Sequence, residues 1–397
     1  MRMDKELLYD KKRVNMLFLM LAILPINDIV STILYTFNVN MSRITIMLYF
    51  IVIVIGIFTL IRCPIYKSDI LSLLIIFFIY TFLYFVSTDY AKKEFFTTNM
   101  RIIYFYYIPF SIFFISHIKR WDILFTEKKF IVISDMILII SFLTRTLNDT
   151  IDYMVFSYNI LPLCGIIAVT IIKFENKRQI IFIILSIVEL MLFGSRGALI
   201  WLLICGMLLY LSTFIRSFNS KKEFYKKIIS ITLVFIASLF FITYIIPKAV
   251  QSSFGNTSYI LRRIKGGNVT ESEARLSIYK TSLEHIKNNG ININGLFYDR
   301  TVLPKNMYAH NLVLESYLSF GLLFGTFILL AFIYMILRTI KKSHNIYSYA
   351  TIYFITIFLL RYFVSGSAFS EGKFIIFIAF LYSIICNKQL SNNIKAE

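Results

Sequence analysis

The stretch ITIMLYFIVIVIGIFTLI, residues 44–61, contains no charged residue and is apolar at almost every position. Its 18 residues would form a helix about 27 Å long, close to the ~30 Å thickness of a bilayer's hydrocarbon core. Lipid offers no partners for backbone polar groups, so a spanning segment of this length has to be helical. The stretch therefore predicts a membrane-spanning helix.

Similar apolar segments recur along the whole chain. Of the 397 residues 58% are hydrophobic and only 16% are charged, and the mean hydropathy is +0.73. The pattern predicts an all-α polytopic membrane protein in which residues 1–397 form one integral domain. We expect about twelve transmembrane helices, near 14–37, 44–61, 70–87, 101–118, 130–147, 155–172, 180–194, 198–215, 228–246, 311–337, 348–364 and 374–387.

The positions of the basic residues predict the orientation of these helices. With the N-terminus inside, 24 of the 41 Lys and Arg residues fall in inner segments and 7 in the short outer connections. Because basic residues concentrate in cytoplasmic loops, this bias predicts a multi-pass protein of the cytoplasmic membrane with both termini in the cytoplasm. The same rule accounts for the net charge of +19, so the charge does not indicate a nucleic-acid partner.

One long polar segment, residues 247–309, separates the ninth and tenth predicted helices and falls on the outer side. The capping-box sequence Thr270-Glu271-Ser272-Glu273 begins an amphipathic stretch, which predicts a helix near 271–288 on the membrane surface. We expect its apolar face to contain Leu276, Tyr279, Leu283 and Ile286.

Basic residues surround the start of this predicted helix: Arg262, Arg263, Lys265, Arg275 and Lys280. Guanidinium groups beside a helix N-terminus suit a phosphate-bearing ligand. Attraction to anionic lipid headgroups is the alternative interpretation of this patch.

Several ionisable residues fall in the outer halves or outer ends of predicted spans: Asp28, Arg145, Glu189, Arg196 and Arg361. A charged side chain at the bilayer centre costs about 2.5–3.5 kcal/mol on insertion scales, so each of them is a candidate functional residue. Together they predict a polar cavity that opens outward. The alternative is that the arginines extend to the interface and the other charges pair internally.

Candidate catalytic groups are few. The four cysteines form no CxxC motif, and the sequence has no nucleotide-binding loop, HExxH or GxSxG, so we predict neither a metal nor a cofactor. His117 and His344 fall at the inner surface, and His285 lies on the amphipathic stretch, where we expect exposure to solvent. His310 stands at the outer end of the tenth span, where a neutral imidazole can accept a proton, although a capping or interface role is the simpler reading.

Three short motifs occur in a set order around these residues. The first is Ser195-Arg196-Gly197-Ala198, which opens the eighth predicted helix. The second is Arg275 followed by Tyr279 and a glycine turn at Gly295. The third is His310-Asn311, followed by Glu315 and by GLLFG at 321–325.

These motifs, with a long outer loop after the ninth span, resemble the O-antigen polymerase and ligase family of membrane glycosyltransferases. The resemblance is best over residues 180–337, and the first half of the chain matches in hydropathy alone. Two positions depart from the family pattern: Tyr279 stands where tryptophan is common, and Asn294-Gly295 replaces a Gly-x-Gly turn.

The resemblance implies a GT-C-like fold and a metal-independent, inverting glycosyl transfer on the outer face of the membrane. Donor and acceptor would be undecaprenyl-pyrophosphate-linked oligosaccharides, and the flippase and chain-length regulator of the same pathway are implied partners. His310 would be the base, and Arg196 and Arg275 would hold the pyrophosphate. The implied substrate-binding residues are Arg145, Arg361, Arg262, Arg263, Asn311, Tyr279 and Glu315.

Within this family we favour a repeat-unit polymerase that makes O-antigen or a capsular surface polysaccharide. The alternative is a ligase that transfers the finished polymer to a second acceptor. From a different class, a polysaccharide flippase or transporter also has many spans, but it predicts internal repeats and polar residues near the midplane. We find no such repeat, and the charged positions lie toward the outer side.

Overall fold

The computed structural model describes residues 2–35, 37, 41–147, 152–216, 248, 251, 272–304, 307–343 and 346–387. Over these residues the secondary structure is helical and contains no strand, as the all-α prediction requires.

The described residues up to Arg216 contain eleven α-helices. They are α1 (Arg2–Tyr35), α2 (Met41–Ile61), α3 (Lys67–Val86), α4 (Asp89–Glu94), α5 (Thr98–Ile102), α6 (Ile108–Phe113), α7 (Ile123–Thr126), α8 (Lys128–Leu147), α9 (Tyr153–Phe174), α10 (Ile180–Phe193) and α11 (Arg196–Arg216). The described part of the second half contains α12 (Ser272–Asn289), α13 (Asp299–Val302), α14 (Leu312–Ser343), α15 (Ser348–Phe354) and α16 (Gly372–Cys386).

Among the described helices, six are long and apolar enough to cross a membrane: Lys5–Tyr35, Ile44–Ile61, Lys67–Val86, Tyr153–Phe174, Arg196–Phe214 and Leu312–Ser343. Shorter apolar helices run over Ser348–Phe363 and Gly372–Cys386. The chain is therefore an all-helical, membrane-associated protein. The ninth predicted span, 228–246, lies outside the described residues, and the count of twelve spans and a GT-C-like arrangement stay predictions.

Two of the predicted spans are irregular helices. Between α5 and α6 the chain forms a π-helical turn at Ile103–Tyr107, followed by Pro109, which has no N–H to donate to a regular helix. After α15 a second π-helical turn at Ile355–Leu359 passes into a 3₁₀ turn at Leu360–Phe363. Such changes of helical pitch are frequent at functional sites. The second of them brings Arg361 to the end of its helix.

The chain forms two compact units, and the single integral membrane domain stays a prediction. The first comprises Met1–Met20, Ile46–Ile123 and Glu271–Glu397. In its core the Trp121 ring packs edge-on against Phe354 and Phe380, and its indole N–H donates to Ser383 Oγ at 3.1 Å. Within this unit α16 packs on α6 and α14, and α12 packs on α14.

The second unit comprises Leu21–Thr45 and Leu124–Thr270. Its central element is α9, which packs against α8, α10 and α11. In the most apolar 18-residue stretch of α9, 78% of the residues are buried. In the equivalent stretch of α3, which belongs to the first unit, only 11% are buried. An apolar helix with so little buried surface is suited to face lipid, so α3 has the character of a lipid-facing helix and α9 that of a core helix.

Helix α12 lies where the sequence predicted an amphipathic helix, but its packed face is different. Leu276 and Leu283 are 61% and 57% exposed, whereas Ile278, Ser282 and Ile286 are buried. Tyr279 packs beside Ile278 and Ile286 against Leu303, Ala309 and Leu318. The face that packs on protein is therefore rotated from the predicted apolar face toward Ile278 and Ser282, and the exposed Leu276 and Leu283 lie outside it.

Helix α14 has a sharp kink at Gly321, where φ is +71°. A Cβ at this position would lie 2.8–3.0 Å from the carbonyl oxygens of residues 290–292. The backbone N–H of Leu322 donates to the Gly290 carbonyl at 2.5 Å. The turn that follows α12 is thus joined to α14 at a point that only glycine accommodates without strain.

We expect Gly321→Ala to destabilise the protein by about 1–3 kcal/mol, because alanine has to adopt a left-handed backbone against three carbonyl oxygens. The matched control is Gly206→Ala in α11, where the new Cβ would meet only Ile172 Cδ1 at 3.9 Å and helix propensity would improve. The midpoints of thermal unfolding of both variants are measured in detergent. Equal midpoints for the two would contradict the strained-kink interpretation.

Candidate functional site

His310 lies immediately before α14 in an unusual backbone conformation. Its φ is +53°, in the left-handed region that residues other than glycine seldom adopt. Its imidazole ring is half-buried and packs on the ring of Tyr308, with 4.0 Å between the ring centroids. Backbone strain of this kind persists only where neighbouring contacts impose it, and it is concentrated at functional sites.

The residue after His310 caps helix α14. Asn311 Oδ1 accepts hydrogen bonds from the backbone N–H groups of Val313 and Leu314, at 2.9 and 3.2 Å. Its Nδ2 donates to the Phe363 carbonyl at 2.9 Å. One side chain thus satisfies two free donors of the helix terminus and joins that terminus to the 3₁₀ turn of Arg361.

The residue before His310 is held by a buried carboxylate. Asp299 has no exposed surface, and its Oδ2 accepts the Ala309 N–H at 2.9 Å. Burial raises the pKa of Asp299, and the adjacent Arg300 guanidinium, 3.6 Å from Oδ1, opposes this shift. Arg300 also lies 3.6 Å from Glu94 and donates to Ser370 Oγ at 3.4 Å. Residues on both sides of His310 are therefore fixed, which explains how its strained conformation is kept.

A second carboxylate holds the segment that follows Arg361. Glu315, on the first turn of α14, is buried and accepts hydrogen bonds from Ser367 Oγ and from the Ala368 N–H, the latter at 2.9 Å. Arg361 donates to Glu371 Oε1 at 2.5 Å, and Tyr362 donates to Glu371 Oε2 at 3.3 Å. The segments 309–315 and 361–371, together with Glu94, Asp299 and Arg300, thus form one polar network around the start of α14, which we call the α14 network.

The α14 network brings together four of the predicted site residues: His310, Asn311, Glu315 and Arg361. Two more, Arg275 and Tyr279, are half-buried on α12, which packs against α14 in the same unit. Arg262 and Arg263 lie outside the described residues. His285, which we expected to be exposed, is half-buried beside Tyr298, and this burial lowers its pKa.

Arg145 and Arg196 lie in the second unit. Arg145 is buried, with its guanidinium 4.4 Å above the ring of Phe156. Arg196 is half-buried at the first position of α11. Glu189 of α10 is also fully buried in this unit. The unit therefore has its own group of buried or half-buried charges among apolar helices, as the sequence indicated.

The neighbours of Arg196 in the Ser-Arg-Gly-Ala motif have identifiable structural roles. Ser195 Oγ accepts the Ala198 N–H at 3.3 Å, which caps α11, and lies 2.9 Å from Ser157 Oγ. A Cβ on Gly197 would lie 2.4 Å from the hydroxyl oxygen of Tyr158. Serine and glycine at these positions allow α11 to begin in close contact with α9.

Sequence reasoning missed several members of the α14 network: Glu94, Asp299, Arg300, Ser367 and Glu371. One signal was available, because Asp299-Arg300 is an acid-base pair in a stretch, 291–304, that is otherwise uncharged. Glu371 and Ser367 carried no comparable signal, since their partners are ten and fifty-two residues away in the sequence.

Comparison with known proteins adds no assignment: the chain matches no protein-family model, no curated protein and no solved structure at a significant level.

The hydrogen bonds that cap α14 predict how substitutions of Asn311 change the stability of the protein. Asn311→Ala removes the acceptor for two N–H groups and is expected to cost about 1 kcal/mol, within the 0.5–2 kcal/mol typical of N-caps. Asn311→Asp keeps the acceptor and loses only the donor to Phe363, so it should retain most of the stability. Thermal unfolding of both variants tests this. A loss as large in the aspartate variant would mean that the contact to Phe363, not the cap, is the stabilising one.

Proposed function

We propose that this protein is a polymerase of undecaprenyl-pyrophosphate-linked oligosaccharide repeat units, acting on the outer face of the cytoplasmic membrane to build O-antigen or a capsular polysaccharide. The proposal rests on the motif resemblance and on the position of His310. His310 lies immediately before an apolar helix in a strained backbone conformation. Hydrogen bonds made by its two neighbours, Ala309 and Asn311, maintain that conformation. A fixed imidazole at the mouth of a membrane helix is suited to proton abstraction from a bound substrate.

In the proposed reaction His310 takes the proton of the attacking sugar hydroxyl. The hydroxyl oxygen forms a bond to the anomeric carbon of the donor, and the bond from that carbon to the pyrophosphate oxygen breaks. Undecaprenyl pyrophosphate leaves with the electron pair, and attack on the face opposite the leaving group inverts the anomeric configuration. The developing negative charge requires cations close to the pyrophosphate.

Arg196 and Arg275 are the arginines that we assign to the pyrophosphate. A guanidinium can donate two parallel hydrogen bonds to phosphate oxygens, and the attraction strengthens where water is excluded. Arg361 is less suited to this task, because it already donates to Glu371 at 2.5 Å. We assign it instead to holding the 361–371 segment against α14. Arg145, stacked on Phe156, remains a second candidate.

His310→Ala is expected to reduce elongation at least about 100-fold, the lower end of what a general base contributes. His285→Gln is the matched control, since it removes an imidazole from the same polar segment at a residue outside the proposed machinery. Purified protein in detergent is supplied with lipid-linked repeats, without ion gradient or nucleotide, and products are resolved by mass. Full-length polymer from His310→Ala would overturn the role of His310.

The same assay separates the alternative functions. Elongation in detergent cannot come from a flippase, so a wild-type protein without elongating activity would reject the polymerase. A deletion strain distinguishes the polymerase from the ligase. We expect single lipid-linked repeats to accumulate in that strain, whereas long lipid-linked polymer would accumulate if the protein were the ligase. Mass spectrometry of the lipid-linked pool provides the measurement.

A further inference from the structure

The first unit contains a polar cavity far from the α14 network. Its volume is about 500 Å³, within the range of small-ligand sites. It lies at the Cys386 end of α16, whereas Glu371 of the α14 network precedes the other end. A 15-residue helix is about 22 Å long, so the two regions are distinct. The basic-residue bias predicts that the Cys386 end faces the cytoplasm.

Arg13 is a buried charged residue in the lining of this cavity. Its side chain is only 5% exposed, and Nη1 donates to the His117 carbonyl at 3.1 Å and lies 3.5 Å from Asp10 Oδ1. Its Nε and Nη2 are buried and have no hydrogen-bond partner among the residues that the structure describes. A buried charged donor without an acceptor costs free energy, so an acceptor that reaches these groups would be stabilising.

The neighbouring charges favour an anion as that acceptor. Lys5, Arg13 and Lys119 line the cavity together with Glu6 and Asp10, which leaves one excess positive charge. Glu6 is 3.2 Å from Lys119 Nζ, and the His117 ring is 2.8 Å from Asp69. Glu6 and Asp69 therefore have partners of their own, and Asp10 lies beside Arg13 Nη1. Vicinal guanidinium N–H groups match the spacing of phosphate oxygens.

The wall of the cavity also suits a lipid headgroup. It includes three tyrosines, Tyr9, Tyr66 and Tyr382. Tyrosine rings are enriched at the level of lipid headgroups, and basic pockets between helices on the cytoplasmic side bind anionic headgroups.

We propose that this cavity binds a phosphate group beside the Arg13 guanidinium, with Lys5 attracting it at the rim. The phosphate comes from an anionic phospholipid of the adjacent leaflet or from a soluble phosphate compound. The proposal is independent of the glycosyl-transfer reaction, because no residue of the α14 network contributes to the cavity.

The protein contains a reporter for this site. Ser383 lines the cavity and accepts the indole N–H of Trp121, which is fully buried. The chain has only one other tryptophan, Trp201, so Trp201→Phe leaves Trp121 as the sole indole fluorophore. Occupation of the cavity should shift or quench its emission.

The experiment titrates the Trp201→Phe protein in detergent with dihexanoyl phosphatidylglycerol, with inorganic phosphate and, as an acyl-chain control, with dihexanoylglycerol. A saturable change is expected with the phosphate-bearing probe and not with dihexanoylglycerol. Arg13→Gln should weaken binding about 10–100-fold, the value of a charge-assisted hydrogen bond. Arg62→Gln, an exposed arginine outside the lining, is the matched control and should have no effect.

Lys5→Gln keeps the test decisive if Arg13→Gln does not fold. Lys5 is exposed, so its replacement should leave the fold intact and weaken binding about 2–5-fold. Saturation by phosphatidylglycerol but not by phosphate identifies a lipid headgroup site, and saturation by both identifies a general phosphate site. No saturable change with either probe, or equal binding by the Lys5→Gln and Arg62→Gln variants, would overturn the proposal.

Discussion

The hydrogen bond from the Ala309 N–H to the buried Asp299 carboxylate is the interaction on which the candidate site depends. An apolar helix such as α14 satisfies its own backbone groups except at its ends, where the first N–H groups need other acceptors. The Asp299 carboxylate accepts a hydrogen bond from the N–H of the residue before His310. The Asn311 side chain accepts hydrogen bonds from two N–H groups in the first turn of α14. The backbone at His310 is left between two fixed points and adopts a left-handed conformation. The position of the imidazole is therefore a consequence of how the helix terminus is satisfied.

Hydropathy was sufficient to locate the helices because an apolar segment of spanning length has one stable backbone conformation in lipid. Helices lie at eleven of the twelve predicted segments, and the remaining one is outside the described residues. The irregularities were not predictable in the same way. The π turns at 103–107 and 355–359 and the kink at Gly321 arise from local hydrogen bonding and from contact with another backbone, neither of which changes the apolar pattern.

Residues of the candidate site could be predicted from the sequence only where a single side chain is costly to place in a membrane or has reactive chemistry of its own. His310 and Arg361 were found because a histidine or an arginine in or beside an apolar span is expensive and uncommon. Asp299, Ser367 and Glu371 were missed, because their significance comes from partners that the fold brings together. Among the motif residues, Ser195, Gly197, Gly321 and Asn311 shape helix ends and close contacts.

Both polar regions of the first unit contain buried arginines beside carboxylates. In the α14 network Arg361 donates to Glu371, and Arg300 lies near both Asp299 and Glu94. These carboxylates fix the two guanidinium groups beside the start of α14. In the cavity at the Cys386 end, Arg13 has two buried N–H groups with no acceptor among the described residues. An anion can bind there without breaking an existing ion pair, so permanent occupation by a headgroup is compatible with that end, whereas the α14 network is suited to hold a helix end and its histidine in place.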